Sequence, residues 1–152
     1  MPEIYNVIQG QGIELMNNIR LNMGRAGMNA TNKTSHSLRI ELKQEGTKFK
    51  MQLLGRPFFM TVQTGRRPTP DKKPSREMIS NIAEWMEARG MDERQVWAVA
   101  TNIQKKGTQL WRDGGRTDIV DPAIDEFVNG VSQALLEAEA DNFVLKLRQM
   151  KW

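Results

Sequence analysis

The hydrophobic period of this chain changes twice, and that change limits the folds open to it. From Ile4 to Met23 the apolar residues Ile4, Val7, Ile8, Leu15 and Ile19 fall near one face at helical spacing. From Ser37 the spacing drops to two. Leu38, Ile40 and Leu42 alternate with Arg39, Glu41 and Lys43; after a turn at Glu45-Gly46, Phe49, Met51 and Leu53 alternate with Lys48, Lys50 and Gln52. Such alternation marks strands with one apolar and one wet face. Beyond Pro74 the helical period returns. Helix, hairpin and helices again within 152 residues predict a single α+β domain, 1–152.

The elements follow in order. The N-terminal helix occupies 1–28; Gly10 and Gly12 weaken its middle, and Gly24, Gly27 and the polar Asn29–Ser35 run end it. Residues 34–64 read as a β-meander. Its third run, Phe58 to Gln63 after Gly55-Arg56-Pro57, is apolar at most positions and predicts the most buried strand. Near the C-terminus Phe143, Leu145 and Leu147 alternate with Val144, Lys146 and Arg148, so Asn142–Met150 reads as a final strand. A continuing helix is the other reading, because Leu, Lys, Arg, Gln and Met are also good helix formers. The expected fold is an antiparallel sheet of three to four strands packed against N-terminal, central paired and C-terminal helices.

The chain reads as organised around Gly65–Trp111. A basic loop, 65–76, comes first, with Arg66, Arg67, Lys72, Lys73 and Arg76 against one acid, Asp71. Pro68, Pro70 and Pro74 stiffen it and remove amide donors, so it should project from the sheet edge as a contact arm or a solvated connector. It lacks the Gly-x-x-x-x-Gly-Lys pattern of a phosphate loop. Paired helices follow over 76–107. Pro74 suits the first helical turn, and Ile79, Ile82, Ala83 and Met86 line one face. Gly90 closes that helix, Asp92 caps the next with Gln95 three residues on, and Val96, Val99, Ala100 and Ile103 form its stripe, ending at Gly107. Trp85 and Trp97 are expected to pack in the corner between the two.

Asp121-Pro122 restarts a helix after the Asp113–Arg116 loop, giving a C-terminal helix and an optional last strand over 121–152. Ile124, Phe127, Val128, Val131 and Leu135 form its stripe, expected to turn inward. Asp121, Asp125, Glu126, Glu137, Glu139 and Asp141 occur there with no Lys or Arg between them. Two surfaces of opposite sign result. Arg66, Arg67, Lys72, Lys73 and Arg76 on the loop, and Glu137 and Glu139 on the helix, are the candidate inter-subunit or partner contacts.

Composition argues against most catalytic chemistry. The chain has no cysteine and one histidine, His36, so neither a thiolate nor a multi-histidine metal site can be assembled within it. No carboxylate pair stands at a spacing that argues for acid–base work. No enzyme activity and no cofactor are expected. The net charge of +4 suits an acidic partner or nucleic acid. No apolar run approaches the roughly 20 residues of a membrane helix, and the Met1-Pro2-Glu3 start lacks a signal-peptide pattern.

Over Thr34–Thr108 the order of motifs resembles a family of neck and tail-completion proteins of tailed bacteriophages. The matching pieces are Thr34–Leu38, the aromatic Phe58–Thr64, Gly65-Arg66-Arg67-Pro68, Ile82–Trp85, Arg89-Gly90-Met91, and Trp97-Ala98-Val99-Ala100 through Gly107-Thr108. The resemblance implies a small α+β subunit that forms a ring at the head–tail junction, without catalysis. It implies a place in the neck of the virion, assembled in the host cytoplasm beside portal, neck or tail proteins. Packaged DNA would lie close by without specific recognition. The alternative reading is a small basic DNA-binding adaptor that uses the Arg66–Arg76 loop.

Overall fold

The computed structural model describes residues 2–57 and 59–149. Helix α1, Pro2–Arg25, is the axis of the molecule. Leu15, Ile19 and Met23, one helical turn apart on one face, meet Leu38, Ile119, Val120 and Ala123 in the core cluster. Ile19, Met23 and Ile119 are fully buried. Phe59, Val62 and Phe127 pack against this cluster, yet none of its members comes from the Gly65–Trp111 stretch. The expected organising centre is therefore displaced: the fold is built on α1. That helix ends as its glycines predict. Gly27 takes φ 68°, and Met28 N donates to Met23 O at 2.9 Å, which satisfies a terminal carbonyl.

A single turn, α2 (Lys33–His36), leads into the strands β1 (Arg39–Glu45) and β2 (Lys48–Leu54). Arg20 on α1 ties this entry down, donating to Ser35 O at 2.8 Å and Leu38 O at 3.0 Å. The hairpin register pairs Ile40 with Leu53 and Leu42 with Met51 on one face, as the alternation predicts. That face lies on α1 at Gly12, where a Cβ would come within 2.8 Å of Met51 Sδ and 3.1 Å of Ile40 Cδ1. Gly12 weakens the helix locally but lets the hairpin close on it.

The sheet stops at two strands, not three or four. After Pro57 the chain turns, with Phe59 N bonded to Arg56 O, and Thr61–Thr64 forms the one-turn helix α3. A short apolar run does not distinguish a strand from a buried helical turn. Phe59 and Val62, three residues apart, both reach the core, which is the helical solution. Phe58 itself lies outside the described residues.

Helix α4 (Arg76–Ala88) starts two residues after Pro74, because Ser75 Oγ is the cap and accepts from Met78 N at 3.1 Å. Gly90 closes it at φ 65°, with Met91 N donating to Met86 O. Asp92 caps a 3₁₀ turn, Glu93–Gln95, that runs into α5 (Val96–Lys106). The buried positions of this pair are Met78, Met86, Ala100 and Gln104. The tryptophans are not core: Trp85 is 37% and Trp97 60% exposed. Trp85 sits one residue, about 100° of helix, away from buried Met86. Its ring is instead covered by the Arg89 guanidinium, 5.3 Å from the ring centre.

After the turn α6 (Gln109–Arg112), helix α7 runs from Asp121 to Gln149. The strand reading of Asn142–Met150 gives way to the continuing helix through Gln149; Met150 lies outside the described residues. The period-two pattern has no sheet edge to join, because α7 lies along α1 and not beside the hairpin. The two helices run antiparallel. Asn22 Nδ2 donates to Ile119 O at 2.9 Å, Asn18 Nδ2 to Glu126 Oε2 at 2.6 Å, and the Gln11 side chain lies over Gly130. The expected inward stripe of α7 is split. Ala123 is buried and Phe127 and Val131 are half-buried, whereas Ile124, Val128 and Leu135 are exposed. One helix covers only one flank of another, and among the described residues the sheet is a two-stranded hairpin too small to cover the rest. Among the described residues no helix is long and apolar enough to cross a membrane.

Candidate functional site

The basic loop is tied down along its first half. Arg66 N donates to Thr108 Oγ1 and Thr108 N to Arg66 O, both at 2.9 Å. Thr69 N donates to Gln104 O at 2.8 Å, and Gln104 Nε2 returns a bond to Thr69 O at 3.1 Å. Gln104 is buried at 4% exposure, and the Arg66 guanidinium reaches its Oε1 at 3.3 Å. This half does not project from a sheet edge. Proline removed donors at three positions, but Arg66 and Thr69 kept theirs and strapped the loop to α5 and α6. From Pro70 to Lys73 the loop is exposed.

The crossing depends on two glycines. Gly65 (φ 72°, ψ 176°) and Gly107 (φ 75°, ψ 176°) occupy a backbone region that is essentially closed to residues with a side chain. A Cβ on Gly65 would meet Thr108 Oγ1 at 2.8 Å, and one on Gly107 would meet Arg66 O at 2.8 Å and Trp111 Cδ1 at 2.9 Å. On the other side of α3, Gln63 latches the start of α7. Its Oε1 accepts from Val120 N at 2.9 Å and its Nε2 donates to Asp121 Oδ1 at 2.8 Å. Its carbonyl accepts from Arg116 N. Arg116 in turn holds Asp118 through two bonds of 2.6 and 2.7 Å. That hydrogen bond keeps the Asp118 carboxyl below the usual aspartate range and raises the arginine.

The candidate contact residues occupy two separate surfaces. Arg67, Lys72, Lys73 and Arg76 are exposed, and Arg66 is half-buried on Gln104. Among the described residues none of these five pairs with an acid. Glu137 and Glu139 are exposed on α7, where Glu137 accepts from Gln133 at 3.0 Å. The fold does not bring the two groups together. α7 begins beside α3 at the Gln63 latch, and Glu137 lies about 24 Å further along its axis.

Sequence reasoning missed a groove. Between the α1–α2 connection, α3, the strapped loop and α4 lies an open cavity of about 710 Å³. Phe59, Val62, Met78, Trp85 and Trp111 supply apolar and aromatic wall, and Arg56, Arg66 and Arg67 supply cations. Glu77 and Glu84 also line it, but Glu84 is paired with Lys33. The groove brings together residues far apart in the chain, from Met28 to Trp111, so no local sequence pattern marked it. Among the described residues no group of three or more His, Asp or Glu side chains converges as a metal site. His36 is exposed.

Comparisons with protein-family models, with curated proteins and with solved structures find no match to this chain.

Proposed function

We propose that this chain is a ring-forming structural subunit of a phage neck, a head–tail connector or tail-completion component, and that it works by assembly. The observation that carries this reading is the uncovered apolar surface of α7. Ile124, Val128, Leu135, Leu136, Val144 and Leu145 are all exposed, and only one flank of the helix meets α1. Ile124, Val128 and Leu135 lie within about 40° of one another around the helix and make one exposed apolar face, and such a face on a small domain is a surface awaiting a partner. The unpaired cations of the loop and the acids of α7 add opposite charge on separate surfaces. Such a pair favours a head-to-tail contact, which closes into a ring when the rotation permits. The order of motifs over Thr34–Thr108 supplies the location. The partners are further copies of the chain and the adjoining portal, neck or tail proteins; packaged DNA passes nearby without specific contacts.

Mass photometry over a concentration series tests this. The expected result is a discrete ring species growing at the expense of monomer, alone or on addition of the adjoining connector proteins. A chain that stays monomeric in both settings refutes the reading. The competing partner for the unpaired Arg67, Lys72, Lys73 and Arg76 is DNA. Monomeric protein that binds duplex DNA with an affinity falling steeply with salt would replace the ring with the adaptor.

A further inference from the structure

Counting equally from Gln11 and Gly130 in opposite directions places Pro2, the first described residue of α1, opposite about Glu139 of α7. The last ten residues of α7 therefore run on for about 15 Å without α1 beside them. Leu136, Ala140 and Val144, spaced by four, form a ridge that starts on the turn opposite Tyr5 of α1 and runs onto this end. All three are exposed, Leu136 at 72%. At 100° per residue Glu139 flanks the ridge on one side and Glu137 and Asp141 on the other. An apolar row edged by acids is the complement of the aromatic groove edged by Arg56, Arg66 and Arg67.

We propose that the Leu136–Ala140–Val144 ridge of one copy seats in the Trp85–Trp111 groove of the next. Its flanking acids then face Arg67 and Arg66. The inference rests on the ring reading and names its contact. The groove cannot take the ridge of its own chain. Its wall includes Val62 and Thr64, next to the Gln63 latch at the first turn of α7. The ridge begins about 22 Å further along the same helix. A second copy can bring it in, and each copy then offers one ridge and one groove, a heterologous contact that propagates. Glu84 opposes the acids least, because Lys33 already holds it; Glu77 remains, and Arg56, Arg66 and Arg67 outnumber it.

The absence of cysteine makes the contact directly testable. Asn81→Cys places a thiol in the groove and Ala140→Cys one on the ridge; both positions are exposed. With a short bismaleimide the double variant should give a ladder of covalent multimers. A mixture of the two single variants should give dimers only, and each single variant alone should give none. Leu136→Asp with Val144→Asp, checked for folding by circular dichroism, should weaken association by about tenfold or more. Assembly without the 81–140 cross-link, or undiminished in the aspartate variant, overturns this contact and leaves the ring reading standing. A ladder from protein that does not enter particles supports the contact and overturns the virion reading. Protein that stays monomeric throughout overturns both. Duplex DNA bound through Arg67 without any cross-link makes the groove a nucleic-acid site and overturns the contact.

Discussion

Gly65 and Gly107 carry more of the fold than any charged residue of the loop they bracket. Each sits where φ is positive and ψ is near 176°, and each faces the other segment at the distance of a missing Cβ. Gly65→Ala or Gly107→Ala should cost about 2–4 kcal/mol in urea denaturation. Gly10 is the contrast. It lies inside α1 with nothing within 4 Å of a built Cβ, so Gly10→Ala should stabilise by about 0.5–1 kcal/mol. Thr108 accepts from Arg66 N at 2.9 Å and from Trp111 N at 3.3 Å, so Thr108→Val leaves two donors short and should cost about 1–3 kcal/mol by the same assay. Trp97, 60% exposed, should behave differently: Trp97→Ala should change stability by less than about 1 kcal/mol.

Among the elements, α7 is held at its start. Its start is fixed by Gln63, by the bonds of Asn18 and Asn22, and by the Arg116–Asp118 clasp just before it. The clasp gives the loop a pH dependence of definite sign. The Asp118 carboxyl is held below its ordinary value by the hydrogen bond from Arg116. The folded state therefore binds that proton less readily than the unfolded chain. Its contribution is fully present above the unfolded value of about 3.9 and is lost as pH falls through the lower folded value. The group is exposed, so the effect is small. Urea denaturation of wild type and Asp118→Asn should differ at about pH 6, and the difference should shrink as pH falls below about 4. A gap that persists unchanged into acid would assign the difference to packing and not to charge.

At the scale of the molecule, a two-stranded hairpin and one long helix pair leave much apolar surface uncovered. Assembly should bury part of it, with charge setting the register. Arg67 is the better probe of that charge, because Arg66 also serves the strap through Gln104. Arg67→Glu should slow association and weaken its salt dependence while the isolated subunit melts as wild type. Glu137→Lys with Glu139→Lys should restore part of the loss if like copies meet through these surfaces. Rescue that fails with both variants folded would assign Arg67 to another partner, such as the portal side or DNA.

The sequence alone determined what depends on neighbours along the chain. The period of two from Leu38 to Leu53 set the hairpin and its apolar face, and glycines 27 and 90 set helix ends through local backbone geometry. Asp92 was legible as a cap for the same reason. Tertiary structure decided what depends on which surfaces meet. The described part of the expected third strand became a turn and the one-turn helix Thr61–Thr64 because Phe59 and Val62, three residues apart, both had a core to reach. The alternation after Asn142 yielded to helix because it continues α7, whose start lies on α1 and away from the hairpin. Trp85 and Trp97 were read inward because apolar spacing shows that a face exists without showing whether a neighbour covers it. The candidate cations and acids were legible as residues. Their separation on two surfaces, and the groove beside the cations, came from the way Gly65, Thr108 and Gln104 fold the loop back onto α5. Those bonds join residues about 40 positions apart, and no local pattern announces them.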